Sequence, residues 1–361
     1  MSKIWVLGAG QLGAMLKHAG EPLALDVEPV DIEDHHALHL SAGDIVTAER
    51  EQWPQTDATS QLAAHSGFVN KDVFATLADR FTQKSLIDEL ALATAPWFNI
   101  DAQISAADLH RDLGARVLLK RRTGGYDGKG QHWLKAAENS QIPADFVNLA
   151  IAEQAINFNE EISLIGVRDH QGNCFFYPLT LNLHVDGILM ASIANLDRLQ
   201  HLQNKAENML YKLMDKLNYV GVMAMELFSV STEQGDKLLI NELAPRVHNS
   251  GHWTQAGCNI SQFEAHIRAV AKLPLTQPSV RGHSLMINLI GTDLNHHWLS
   301  TIGAELYWYD KVVRPGRKVG HINFCRNNHA ELIESIQSLK PLLPDNYSKV
   351  IDWAIAELIG S

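Results

Sequence analysis

Glu226 and Glu242 lie on the two arms of "VGVMAMELFSV–STEQGD–KLLINELA", a stretch that alternates and turns as a β-hairpin. A turn centred on Gln234 places Ser231 opposite Lys237 and Glu226 opposite Glu242. Side chains alternate at period two, so both carboxylates then point to one face. Their Cβ atoms would lie about 4.5–5.5 Å apart, and like charges so placed repel. Either one carboxyl keeps its proton or a cation bridges the two. Mg²⁺ takes oxygen ligands and usually also binds substrate phosphates. A slip of one residue would send the carboxylates to opposite faces and remove the argument.

Two glycine-rich turns are candidates for such phosphates. "LLKRRTGGYDGKGQ", residues 118–131, has four glycines in the seven positions 124–130. It is not a phosphate loop of the G-x-x-x-x-G-K-[ST] type, because Gln131 stands where lysine is required. "QHWLKAA" reads as a returning strand, so the loop is a hairpin tip. Glycines there let backbone lie over phosphates, and Lys120 can bring an ammonium to a phosphate oxygen. The plain alternative is a solvated turn. The second candidate, Gly8-x-Gly10-x-x-Gly13 in "IWVLGAGQLG", follows a strand and opens a helix, as a dinucleotide site does. The acidic residue that such a site needs about 20 positions on is misplaced: Asp26 is too early and Asp31 follows Pro29. Its backbone amides are expected to serve another anion, such as a substrate phosphate.

Further donors cluster in "PRVHNSGHWTQ" with Arg246 and His248, and in "KVVRPGRKVGH" with Lys311, Arg314, Arg317 and Lys318. The second reads equally as an anion site or a solvated turn. His35, His36 and His39, and the pair His296–His297, read as surface histidines.

The elements that must position these groups follow from periodicity. Lys3–Leu7 reads as a buried strand, Leu12 to about Ala19 as a helix and "LALDV" as a second strand. Residues 71–92 read as a helix ended by Pro96. Residues 115–137 form two strands around the glycine loop, and "LAIAEQAI" and "EISLIGVR" are further strands. Leu202, Ala206, Met209, Leu213 and Leu217 share one helical face. A last helix is expected near 329–340. The chain has 361 residues, enough for two or three domains. Its 46% hydrophobic and 20% charged residues place it among ordinary globular proteins. A net charge of −11 argues against a general nucleic-acid binder. No apolar run reaches the roughly 18 residues of a membrane span. Cys174, Cys258 and Cys325 have neither disulfide nor metal spacing, so a reduced, cytoplasmic enzyme is expected.

The glycine hairpin, the paired glutamates and "NELAPRVHNSGHWT" together resemble the ATP-grasp ligases. "LGAGQLGAML", "KRRTGGYDGKGQ", "EQAINFNEEISLIGVR", "NLHVDGIL", "YVGVMAMELF", "INELAPRVHNSGHWT" and "WYDKVVRPGRKVGHIN" are similar, in order, to the N5-carboxyaminoimidazole ribonucleotide synthases of purine biosynthesis. These words run from near residue 4 to near residue 323. The resemblance implies a mixed α/β and α+β fold in three domains. These are a Rossmann-like domain without dinucleotide over 1–95, an ATP-grasp domain of two subdomains over 96–275, and a small C-terminal domain over 276–361 that closes the substrate site. It implies that aminoimidazole ribonucleotide, bicarbonate and ATP react through carboxyphosphate, with Mg²⁺ as cofactor, in a homodimer.

By position, the resemblance assigns ATP to Arg80, Lys120, the lid Gly125, Tyr126, Asp127, Gly128, Lys129, Gly130 and Gln131, the hinge Glu153, Gln154, Ala155 and Ile156, and Glu161, His184, Asn241 and Glu242. The metal falls to Glu226 and Glu242. The second substrate falls to Gln11, Leu12, Tyr126, Asp127, Arg246, His248, Lys311 and Arg317, and catalysis to Lys120, Asp127 and Arg246. Family members often carry a proline shortly after "GIL", which "MASIAN" lacks. Another ATP-grasp ligase, such as a formate-using ribonucleotide transformylase, is the rival reading. An NAD-binding Rossmann protein is the other, and it leaves the glutamate pair unexplained.

Overall fold

The structure, a computed structural model, describes residues 2–33, 35–125, 129–138 and 140–360. Three strands, β1 (Ile4–Leu7), β2 (Val27–Val30) and β3 (Ile45–Ala48), form a parallel sheet in the order β2-β1-β3. β1 is buried throughout, which suits a central parallel strand. A helix, Gln11–Gly20, starts directly after the glycine turn. The second strand begins at Val27, later than "LALDV" suggests. Glu21–Leu23 forms a 3₁₀ turn and Ala24 has φ 55°, a left-handed conformation that an extended strand cannot contain.

β4 (Trp97–Asn99), β5 (Arg116–Arg121), β6 (Gln131–Lys135) and β7 (Ala150–Gln154) form an antiparallel sheet in the order β4-β7-β5-β6. It has its own core, in which Leu109, Leu113, Val117, Leu119, Leu134 and Phe146 pack together. β5 and β6 are the two arms of the glycine hairpin.

The remaining strands are β8 (Glu160–Arg168), β9 (Cys174–Phe176), β10 (Thr180–Val185), β11 (Ile188–Ala194), β12 (Gly221–Thr232), β13 (Gly235–Ala244), β14 (His283–Ile290), β15 (Glu305–Trp308) and β16 (Lys318–Arg326). They join in one nine-stranded sheet, ordered β13-β12-β8-β10-β11-β14-β16-β15 with β9 beside β8. The sheet runs through the boundary expected near residue 275, because β11 pairs with β14 from Ala191–Ile287 to Ala194–Ser284. The C-terminal strands are therefore hydrogen-bonded to the sheet that carries the glutamates.

The expected helix over 71–92 is two, Lys71–Ala78 and Arg80–Glu89. Asp79 between them is extended and caps the second helix by accepting the Phe81 N–H at 2.8 Å. Its carboxylate also takes the Arg122 Nε–H at 3.0 Å, and burial is outweighed by these bonds, so Asp79 titrates below its usual range. The helix Gln200–Lys216 buries Leu202, Ala206, Met209 and Leu213 as its spacing predicts, with Leu217 at its end. Each such large side chain contributes about 1.5–3 kcal/mol. A helix not foreseen, Ser348–Ile359, buries Val350, Ile351, Ala354 and Leu358. No helix among the described residues is long and apolar enough to cross a membrane.

Candidate active site

The β12–β13 hairpin turns one residue tighter than expected. Ser231 faces Asp236 and Val230 faces Lys237. On that register alone Glu226 would face Asn241. The ladder shifts between Leu227, which pairs with Ile240, and Glu226, which pairs with Glu242. Asn241 is the extra residue of this β-bulge, a device that re-aims side chains. The carboxylates are thus opposite each other, as anticipated, through a shorter turn and a compensating bulge.

Their surroundings explain how two anions share the face. Burial raises the Glu226 pKa, the nearby His184 pulls it down and Glu242 pushes it up. Glu242 accepts Arg80 Nη2 at 3.0 Å. His184 hydrogen-bonds Glu161. Burial opposes the His184 imidazolium, but Glu161 and Glu226 outweigh it and raise its pKa. His248 Nε2 lies 3.4 Å from Glu226. Burial, then the charge of Arg246, holds His248 well below the usual histidine range, so this ring is neutral. Its Nδ1 accepts the Ser250 amide at 3.3 Å, which leaves the proton on Nε2, toward Glu226. A buried relay, Ser192 to Asn182 to Ser163 to Ser250, ends on that ring and fixes it.

Among the described residues no cluster of three or more His, Cys, Asp or Glu is set for a metal. The glutamate pair nonetheless fits Mg²⁺. It offers oxygen ligands only, and this ion commonly fills its shell with water and substrate phosphates.

Lys120, at the end of β5, reaches across to the large sheet. Its Nζ donates to Asn241 Oδ1 at 3.0 Å and lies 2.6 Å from Glu153 Oε2. Arg80 also spans the two sheets, donating to the Arg121 and Gly125 carbonyls at 3.0 and 3.2 Å as well as to Glu242. It ties the root of the glycine loop to β13. A Cβ on Gly125 would meet the Lys129 carbonyl at 2.8 Å, so only glycine lets the neck of the loop close. Tyr126, Asp127 and Gly128 lie outside the described residues. In the expected hinge, the Gln154 and Ala155 amides already donate to Pro96 and Arg116 carbonyls at 2.9 and 3.2 Å. The Glu153 side chain enters a buried ion cluster.

On the other side, Arg246 Nε lies 2.8 Å from Glu51 Oε1. Lys311 contacts Gln11 Oε1, so the C-terminal segment meets the first glycine turn. Arg317 Nη1 donates to the Val312 carbonyl at 3.1 Å.

In the first glycine turn the Gly10 and Gly13 amides do not stand open to a substrate phosphate. Glu49 Oε1 accepts Gly10 N–H at 2.6 Å and Oε2 accepts Gly13 N–H at 2.5 Å. A Cβ on Gly8 would come within 2.3 Å of Glu49 Cγ. A protein carboxylate occupies the place where a dinucleotide would put its phosphates. Sequence reasoning misses Glu49, Glu51 and Lys84.

Residues 85–263 match the ATP-grasp domain family, and residues 284–335 match the phosphoribosylaminoimidazole carboxylase C-terminal domain family. The N5-carboxyaminoimidazole ribonucleotide synthase of Escherichia coli (strain K12) is 51% identical over 98% of this chain and 99% of its own. That of Haemophilus influenzae is 49% identical over 98% and 97%. Among solved structures, the synthetase of Thermus thermophilus superposes with a TM-score of 0.82 at 36% identity, covering 95% of this chain and 99% of that one. The Aspergillus clavatus synthase in complex with ADP and 5-aminoimidazole ribonucleotide gives 0.81 at 26% identity, covering 94% and 98%. At about half identity to the Escherichia coli and Haemophilus influenzae synthases over nearly their whole length, and with the ATP-grasp match across its central residues, the chain belongs to the N5-carboxyaminoimidazole ribonucleotide synthase family of ATP-grasp ligases.

Proposed function

We propose that this site joins bicarbonate to the amine of 5-aminoimidazole ribonucleotide at the expense of ATP. The observation that carries the reading is the bulge that sets Glu226 opposite Glu242 beside Lys120 and Arg80. Bicarbonate is a poor electrophile because hydroxide leaves badly. One of its oxygens attacks the γ-phosphorus of ATP, the bond to ADP breaks, and carboxyphosphate forms. The amine nitrogen, or the nitrogen meeting CO₂ released in place, then bonds to the carbon. The C–O bond to the phosphate breaks and inorganic phosphate leaves with that oxygen.

Two anions meet in the first step, so fixed cations must dominate. Lys120 and Arg80 serve the nucleotide phosphates. Arg246, aimed by Glu51, serves the acyl phosphate. Glu226 and Glu242 would hold Mg²⁺, which supplies Lewis-acid charge neutralisation at the phosphates when bound. Glu161 accepts the ribose hydroxyls, and Ile156, next after the committed Gln154 and Ala155 amides, reads adenine. The glycine loop, with Tyr126 and Asp127, closes over the phosphates and excludes water from an intermediate that water would destroy. Lys311, Arg317, Gln11, Leu12 and His248 take the second substrate. The reading extends to domains at 1–95, 96–275 and 276–361 and to a cytoplasmic homodimer. The three free cysteines suit a reducing compartment.

The test is ADP release by purified protein. It is expected only when bicarbonate, Mg²⁺ and the ribonucleotide are present together. Robust turnover with formate in place of bicarbonate overturns the reading in favour of a formate-using ATP-grasp ligase.

A further inference from the structure

Lys84 sits in the first helix after Asp79, in a chain segment with no glycine loop or donor motif. It is among the largest fully buried side chains of the molecule. Its Nζ lies 2.7 Å from Glu153 Oε1, donates to Thr94 Oγ1 at 2.6 Å and faces the Ile240 carbonyl at 3.4 Å. The Thr94 hydroxyl spends its own proton on that same carbonyl at 2.6 Å, so its oxygen can only accept from Lys84. Burial, and after it the charge of Lys120, pull the Lys84 pKa down, while Glu153, ion-paired at 2.7 Å, works against both and favours the ammonium. Glu153 therefore lies between two ammoniums, Lys84 on Oε1 and Lys120 on Oε2 at 2.6 Å. All three side chains are under a tenth exposed. Burial alone would raise the Glu153 pKa; Lys120 and Lys84 reverse this and hold it at about 2.

Charge accounting gives this cluster a role. Glu153 and Lys120 alone would form a neutral buried pair, and a neutral pair has little net pull on a phosphate. With Lys84 the cluster carries one net positive charge, and Lys120 is its member bonded to the bulge residue Asn241. We infer that Lys84 is a positioning residue that never touches substrate, and that it keeps Lys120 electrostatically available to ATP by neutralising Glu153. This rests on the reading above that Lys120 binds the nucleotide. A purely structural Lys84, filling space beneath β7 and β13, would make no such distinction between charge and volume.

Lys84→Met keeps the side chain's length and removes its charge, while Lys84→Met combined with Glu153→Gln returns the cluster to a single positive charge on Lys120. The single variant is expected to raise the KM for ATP on the order of tenfold, the size of one lost charge-assisted contact, with the ribonucleotide KM moving less than about twofold. The double variant should recover most of the lost ATP affinity. If the double variant is as impaired toward ATP as the single one, or more, Lys84 acts through packing and the inference is overturned. That comparison holds even where the single variant folds poorly, because a double variant with a KM raised about tenfold contradicts the charge argument by itself. Lys120→Met, measured alongside, separates the two levels. An unchanged ATP KM there removes the nucleotide-site reading itself, whereas a large rise with an unimpaired Lys84→Met removes the Lys84 inference alone.

Discussion

Glu242→Gln and Glu226→Gln should each lower kcat by roughly 10²- to 10³-fold, the loss typical of removing one group that stabilises transition-state charge, while the protein stays folded. Glu226 and Glu242 are direct cross-strand partners. Their repulsion is tolerable only with a cation or a shared proton. Without divalent cation, each substitution should therefore hold or raise the thermal midpoint.

The pH dependence has a definite sign. Burial raises the Glu226 pKa in the folded protein above that of the unfolded chain. Below the ordinary carboxyl range both states hold the proton and nothing is lost. As pH rises the unfolded chain ionises first, so stability falls, and the deficit is complete above the raised folded value. Metal-free wild type should lose stability as pH rises through and above the ordinary carboxyl range, relative to Glu226→Gln, and Mg²⁺ with ATP should close the gap. Thermal unfolding in chelator and in Mg·ATP measures this, with turnover assayed on the same samples. Near-normal turnover in Glu242→Gln contradicts the metal role of the pair.

Lys311→Ala and Arg317→Ala should each raise the KM for the ribonucleotide about 10- to 150-fold and leave the ATP KM nearly unchanged. In the proposed function the nucleotide phosphates already have Lys120, Arg80 and the glycine loop. Lys311 instead reaches the first glycine turn through Gln11. The Gly10 and Gly13 amides of that turn are taken by Glu49, so the phosphate of the second substrate would depend more heavily on side-chain cations. A charged hydrogen bond contributes roughly 1.5–3 kcal/mol, and 1.36 kcal/mol is about tenfold. Both constants are measured in each variant. A raised ATP KM with an unmoved ribonucleotide KM reverses the assignment and gives the C-terminal segment to the nucleotide.

The glutamate pair shows what a sequence can and cannot disclose. Period-two alternation and eight-residue symmetry about Gln234 lead to the right partners. Neither reveals a bulge, because a bulge is an extra residue set by the surrounding ladder, and here it offsets a tighter turn. The helix Ser348–Ile359 is legible in its buried positions 350, 351, 354 and 358, although no motif draws attention to it. The break at Asp79 is not visible from hydrophobic spacing alone, since Asp79 acts through a cap and through Arg122, 43 residues away. Lys84, Glu49 and Glu51 are illegible for the same reason. A charged side chain on a helix or after a strand reads as solvated, and only the fold supplies the partners that bury it. Motif words carry the residues expected to meet substrate, whereas those that hold them in place have no motif.

In the proposed reaction ATP phosphorylates bicarbonate, and oxygen labelling reads that step directly. Turnover is started with ¹⁸O-bicarbonate at short times, before its oxygens exchange with water, and the inorganic phosphate is analysed by mass. If bicarbonate oxygen attacks the γ-phosphorus and the later break is at C–O, each phosphate formed carries a single label from bicarbonate. Unlabelled phosphate, formed in step with carboxylated product, would show that ATP activates some other group and would contradict the assignment.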